Sequence, residues 1–331
     1  MKLIIQIPCY NEAATLPVTL KELPRHLNGF SAVEWLVIND GSEDGTAEIA
    51  RQCGVDHIID FTGNKGLARA FLAGLDAAIR LGADVIVNTD ADNQYCGADI
   101  SLLVAPILAG RADIVVGSRP IDEITSFSPI KKFLQRVGSK VVRLVSRTDI
   151  PDAPSGFRAM SREAALRLNV FNDYTYTLET IIQAGQKGIA ITSVPVRVNK
   201  PMRPSRLMKS IPSYLGKSLV TIVRIFVVYK SFRFFMTVGM TLAIAGMLTG
   251  IRFLGYYLSG NGSGHIQSLI LSSILLGVGF QTMLTAFLAD LLAVNRRLME
   301  DIQYRVKKLG LGETADSSDR SREGYIHTPQ V

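Results

Sequence analysis

Two apolar runs in the last third of the chain, residues 234–257 and 266–288, restrict its possible folds more than any other feature. As helices rising ~1.5 Å per residue, each is long enough to cross a ~30 Å hydrocarbon core. A helix satisfies its own backbone in lipid, so the pair predicts a transmembrane hairpin. The stretch between them, "LSGNGSGH", has no Lys or Arg, whereas Lys230 and Arg233 flank one end and Arg296, Arg297, Lys307 and Lys308 the other. Basic flanks belong on the cytoplasmic side, which predicts an integral protein of the cell inner membrane with both termini cytoplasmic. Arg252, a turn before Tyr256 and Tyr257, is expected to snorkel to the far interface.

The first two hundred residues obey a different solvent. Short apolar runs, "LIIQIP", "EWLVIN", "HIIDF", "DVIVNT" and "ADIVVG", alternate with longer segments of helical spacing such as "NKGLARAFLAGLDAAIRLG". That alternation predicts an α/β domain with a doubly wound, mostly parallel sheet. Cys9, Cys53 and Cys96 are odd in number and lack metal-site spacing, so a reducing compartment is expected and no disulfide scaffold. The opening "KLIIQIP" is too short for a signal-peptide core.

In such a sheet ligands bind beyond the carboxyl ends of the strands, where "CYNE", "DGSEDG" and "DADNQY" all fall. The first turn, "CYNEAATLP", has no glycine, which disfavours a dinucleotide cofactor held on a GxGxxG loop. In an extended chain residues two apart point the same way, so Asp90, Asp92 and Gln94 would present three oxygen-bearing side chains to one side. Oxygen ligands suit Mg²⁺ or Mn²⁺, and two carboxylates with one amide would need diphosphate oxygens to complete the shell. An acidic turn with no ligand is the competing reading.

Beyond the fifth strand lie a basic helical segment, "SPIKKFLQRVGSKVVRLV", then "DAPSGFR", a helix "YTLETIIQAGQKG" and a strand "IAITSVPVRV". From Thr180 to Ala289 there is no Asp or Glu but eleven Lys and Arg, a bias that serves membrane-surface charge or a phosphate ligand. Lys217, Arg224 and Lys230 recur near helical period among bulky apolar residues, as in an interfacial amphipathic helix. The expected division is a sheet domain at 1–207, juxtamembrane amphipathic helices at 208–231, two spans at 232–295, and a basic cytoplasmic end with a disordered tail at 296–331.

Taken in order, "IPCYNEAATLP", "VINDGSEDGT", "GNKGLARA", "TDADNQY", "VVGSR", "DAPSGFR" and "RPSRL" resemble glycosyltransferase family 2, in its membrane branch of bactoprenol-phosphate glycosyltransferases and dolichol-phosphate mannose synthases. The resemblance covers about residues 1–300. It implies a GT-A fold, with Pro8, Tyr10, Asn11, Glu12 and Asp40 around the nucleoside and Asp90, Ala91, Asp92 and Gln94 at the metal and diphosphate. It further places Arg119 with the cluster Arg136, Ser139 and Lys140 at an acceptor phosphate, and Arg203, Ser205 and Arg206 as a clamp near the diphosphate. Asn39 stands where the family often has a second acid, which leaves the base preference open.

Each assignment has a plainer rival. Asn11 and Glu12 could simply begin a helix. Lys65 could solvate a helix start rather than touch nucleotide, and Arg203 could pair with membrane lipid. Asp152 and Glu179 are candidates for sugar-hydroxyl binding or acceptor alignment, against turn capping before Pro154 and a solvated helix face.

The resemblance implies transfer of a sugar from a UDP- or GDP-linked donor to a polyprenyl phosphate, with membrane lipid and no nucleic acid as the surroundings. A lipid phosphate with second pKa ~6 already presents anionic oxygen, so no dedicated base is required and one displacement inverts the anomeric centre. Asp92, Arg119 and Asp152 are the catalytic candidates. A processive synthase would carry QxxRW, and the only tryptophan, Trp35, lies in the second strand. A silent nucleotide-sugar sensor is the rival from another class. Gly239, Gly246, Gly277 and Gly279 would permit close helix approach in a homo-oligomer.

Overall fold

The computed structural model of the protein describes residues 1–120, 137–140, 142–144, 146–170, 176–200, 202, 227, 230–260 and 262–312. The chain falls into two compact units, one comprising 1–215 with 300–331 and the other 216–299. Residues 121–136, which include the first half of the basic segment, the amphipathic stretch up to Phe226 and the tail after Gly312 lie outside the described residues.

The first unit is built on one seven-stranded sheet. Its elements are β1 (Lys2–Cys9), α1 (Leu16–Glu22), β2 (Ala32–Asn39), α2 (Thr46–Gln52), β3 (His57–Asp60), α3 (Leu67–Arg80), β4 (Val85–Asn88), α4 (Ile100–Leu108), β5 (Ile114–Ser118), β6 (Arg158–Ser161), α5 (Arg162–Arg167), α6 (Thr177–Lys187) and β7 (Ile191–Pro195). The strand order is β3-β2-β1-β4-β6-β5-β7. Pairing is parallel except at β6, which runs antiparallel to both β4 and β5.

Seven of the eight residues of β1 are buried, because helices cover both faces of this central strand. On α3, Phe71, Gly74, Leu75, Ala78 and Ile79 are buried at helical spacing, and the helix packs on β1 and β2. After β3 the chain crosses β1 to form β4 on its other side. The order reverses there, and the crevice beyond the ends of β1 and β4 is where such sheets bind ligands.

Residues 300–310 also belong to this unit, as the end of a helix that runs Ile266–Gly310 (α8). The nearly buried Glu300 pairs with Lys187 of α6 at 3.0 Å. Tyr304 donates its hydroxyl to Glu163 of α5 at 2.6 Å, and Arg167 lies over its ring. The residues read from charge as a basic cytoplasmic end are thus helical as far as Gly310.

The second unit holds α7 (Ser231–Leu258), a short 3-10 turn and α8 up to Met299. Both helices are long and apolar enough to cross a membrane, and only 11% and 17% of their most apolar windows is buried. That exposure is opposite to the core helix of a soluble domain. The two helices touch through small residues: a Cβ at Gly239 would stand 2.8 Å from the carbonyl oxygen of Gly279, and Ser272 donates to the carbonyl of Gly246 at 2.7 Å. Gly239, Gly246 and Gly279 therefore serve the hairpin itself, whereas Gly277 has open space around it.

Candidate active site

Asn88 ends β4 inside a buried polar network. Its amide nitrogen donates to the carbonyl of Gly156 at 2.8 Å and to the Tyr176 hydroxyl at 2.9 Å, and its oxygen accepts from Gln6 at 2.9 Å. Beyond it the chain does not stay extended, as the alternation of Asp90, Asp92 and Gln94 required. It turns at Ala91 and Asp92, and Asn93 adopts a left-handed φ of 56°, which Asn tolerates better than most residues. Buried Ala91 anchors the turn by accepting from the Thr19 hydroxyl of α1 at 2.9 Å.

The turn changes what each side chain can do. Gln94 donates to Asp92 from its amide nitrogen at 2.7 Å and from its backbone at 3.3 Å, so it orients that carboxylate. Asp90 lies against Gly156, where a Cβ would stand 2.9 Å from one carboxylate oxygen and 3.1 Å from the other. Only glycine lets the backbone come so close. Burial pushes the Asp90 carboxyl up to about 7, and the charges of Asp92 and Glu12 add to it against the pull of Arg119 and Arg158.

Arg119 follows β5 and is fixed by Asp152. Its Nε and Nη2 donate to the two carboxylate oxygens at 2.7 and 3.0 Å, and its backbone N–H adds a third bond at 3.2 Å. Asp152 is fully buried, and this carboxylate holds Arg119 in place. Arg158, not singled out in the sequence, is fully buried beneath the same loop. It donates to the carbonyls of Ser155 and Ala153 at 2.8 Å each and to the Thr180 hydroxyl. Burial lowers it to about 10. In the sequence it closes the "DAPSGFR" motif and stands as a charge beside the apolar residues of β6.

On the other side of the crevice, Asp40 accepts from the backbone N–H groups of Lys65 at 2.7 Å and Gly66 at 2.9 Å, clasping the loop after β3. Lys65 holds its ammonium over the Phe61 ring. Tyr10 is 43% exposed at the rim. Asn11, with φ 54°, donates its N–H to Ser42 and accepts from Glu43, both at 2.9 Å. It joins two loops and does not cap α1, whose N-cap is Thr15. Glu12 is nearly buried and accepts from the Thr15 hydroxyl at 2.6 Å, so it is not a solvated helix entry either. Pro8 pairs with Ile38 in β1, beyond the last β1–β4 pair at Gln6 and Asn88, so its missing N–H breaks no ladder bond.

The proposed acceptor-phosphate residues divide. Ser139 is buried and accepts from the Ala153 N–H at 3.3 Å, whereas Lys140 is exposed. Arg136, Arg203, Ser205 and Arg206 lie outside the described residues. Glu179 is nearly buried, 3.5 Å from the Gln183 amide, and does not form a solvated helix face.

Residues 4–168 match the glycosyl transferase family 2 profile, and with the acidic turn in place after β4 the family is decided. The chain belongs to glycosyl transferase family 2. It is 28% identical over 204 residues to polyprenol monophosphomannose synthase of Mycolicibacterium smegmatis, covering 58% of this chain and 76% of that one. It is 26% identical over 235 residues to undecaprenyl-phosphate mannosyltransferase of Micrococcus luteus, covering 68% and 93%. Glucosyl-3-phosphoglycerate synthase of Mycobacterium tuberculosis, solved with Mn²⁺, UDP and glucosyl-3-phosphoglycerate, has a similar fold, with TM-score 0.54 and 18% identity over 68% of this chain and 78% of that one.

This family 2 glycosyltransferase has a donor set suited to a hard divalent cation. Asp90 and Asp92 offer carboxylate oxygens whose charges oppose each other, and burial together with that opposition raises Asp90. Among the described residues no group of three His, Cys, Asp or Glu side chains could hold a metal, so a cation here would share its shell with ligand oxygens.

Proposed function

We propose that this glycosyltransferase moves a sugar from a nucleotide diphosphate to a polyprenyl phosphate at the cytoplasmic face of a membrane, with inversion and with Mg²⁺ or Mn²⁺. The observation that carries the reading is the repelling pair Asp90 and Asp92 beside the anchored Arg119, in a chain with two membrane-length apolar helices. The names of the Mycolicibacterium and Micrococcus relatives support the acceptor class.

Asp90 and Asp92 would hold the cation, with Gln94 keeping Asp92 oriented. Bound there, Mg²⁺ or Mn²⁺ supplies charge neutralisation for a diphosphate. A lipid-phosphate oxygen forms the new bond at the anomeric carbon as the bond to the diphosphate breaks, and the nucleoside diphosphate leaves with that electron pair. Because the nucleophile is already anionic near neutrality, no residue need take a proton. The role assigned to Arg119 is to sit among these anions, its guanidinium plane fixed by Asp152. Tyr10, Asn11, Glu12, Asp40 and Lys65 line the nucleoside side, with Asp40 shaping the loop that carries Lys65. Gly277 remains open for a neighbouring copy in the bilayer.

The purified protein, given Mn²⁺, a panel of UDP- and GDP-sugars and a short polyprenyl phosphate, is expected to form a lipid-linked sugar with one donor. No such product with any donor would contradict the reading.

A further inference from the structure

The acidic turn is stitched to a segment one hundred residues away, and one carboxylate on α1 spans the seam. Glu22, the last residue of α1, accepts from the Asn93 amide at 3.0 Å with one oxygen and from the Asn199 amide at 2.9 Å with the other. Asn93 is the left-handed residue next to Asp92, and Asn199 lies two residues before Pro201. The backbone repeats the connection: Asn199 N–H donates to the Gln94 carbonyl at 2.9 Å, and Tyr95 bridges Val198 in antiparallel fashion. Arg197 completes it with its N–H and guanidinium on buried Asp99, between 2.6 and 3.0 Å. Gly97 packs so closely on the Glu22 carbonyl that no Cβ fits between them.

We propose that Glu22 is a positioning residue: by holding Asn93 and Asn199 together it fixes the turn that aims Asp92 and Gln94, and so sets affinity for the cation and the donor diphosphate. This rests on the reading of Asp90 and Asp92 as the cation station. The physical basis is local. Gln94 orients Asp92 from its side-chain and backbone nitrogens, and its own carbonyl is held by Asn199. A loosened 196–199 segment therefore loosens Gln94 and then Asp92. Glu22 itself is exposed, so its charge is not needed to build a core.

The test is an exchange of polarity across the seam. Asn199→Asp sets carboxylate against carboxylate, and Glu22→Gln in the same chain restores a donor facing an acceptor. Amide hydrogen exchange in the metal-free protein is expected to quicken about five- to tenfold at 93–96 and 196–199 in Asn199→Asp and in Glu22→Ala, and to return in the double variant. Mn²⁺ affinity by calorimetry and donor KM should weaken by about the same factor and recover likewise, with acceptor KM unchanged. Equal weakening of donor and acceptor KM, wild-type exchange in the single variants, or no recovery in the double variant would overturn the proposal. A wild-type protein that binds no Mn²⁺ would instead contradict the cation reading, and the exchange rates would still decide whether Glu22 holds the turn.

Discussion

Asp40 and Asp90 stand on opposite sides of one crevice and show two ways a protein treats a carboxylate. Asp40 receives two backbone N–H groups within 2.9 Å, so the chain itself supplies what its charge needs. Among the described residues none donates a hydrogen bond to Asp90, which burial and the charge of Asp92 push up to about 7 against the pull of Arg119 and Arg158. The first carboxylate builds a loop. The second carries its charge poorly where it is buried beside Asp92, a state that a bound cation would relieve.

Replacing Asp92 should have the largest effect. Asp92→Ala is expected to lower turnover by at least about 10²–10³-fold, the scale for losing one key electrostatic contact, while the far-ultraviolet circular dichroism stays unchanged. Full activity in this variant would remove Asp92 from the reaction. Arg119→Met comes next, read in stability: it strands the buried Asp152 carboxylate, and chemical denaturation should show a loss of about 3–5 kcal/mol. A wild-type denaturation midpoint would mean that the pair holds nothing together. Asp40→Asn should cost less, about 1–3 kcal/mol, because its amide meets a backbone N–H where a carboxylate oxygen stood, and Mn²⁺ affinity should be unaffected.

The smallest effect is the dependence on pH. Asp90 is raised in the folded protein to about 7, above the ~3.9 of an unfolded Asp, so the folded state holds this proton more tightly. Its contribution to stability is complete below pH ~4 and is lost as pH rises through about 7. Melting of the metal-free protein should therefore fall between pH 5.5 and 8, and Asp90→Asn should flatten that slope. An unchanged slope in Asp90→Asn would assign the titration to another group.

Much of this is legible along the chain because it is local. The runs that form β1, β2 and β4 announce themselves by apolarity over a few residues, and the two long helices by apolarity sustained over membrane length. What local reading misses depends on partners far away in sequence. Asp152 gives no hint that it will seal Arg119 thirty-three residues earlier, and Arg158 looks like a strand charge until Thr180 and the 153–155 carbonyls surround it. The turn after Asp90 escapes for a different reason: alternation holds only while a strand stays extended, and the chain turns at Ala91 and Asp92 with Asn93 left-handed. At the end of α8, counting charge in "RRLMEDIQYRVKK" conceals its helical period and the Glu300–Lys187 contact.

The most direct measurement is calorimetric titration of Mn²⁺, with a nucleoside diphosphate present, into the wild-type protein and into Asp90→Asn/Asp92→Asn at pH 6 and pH 8. Two carboxylates that await a cation predict binding to the wild type only, tighter at pH 8, with proton release on binding at pH 6 as Asp90 gives up its proton. Equal binding by the double variant would contradict the account.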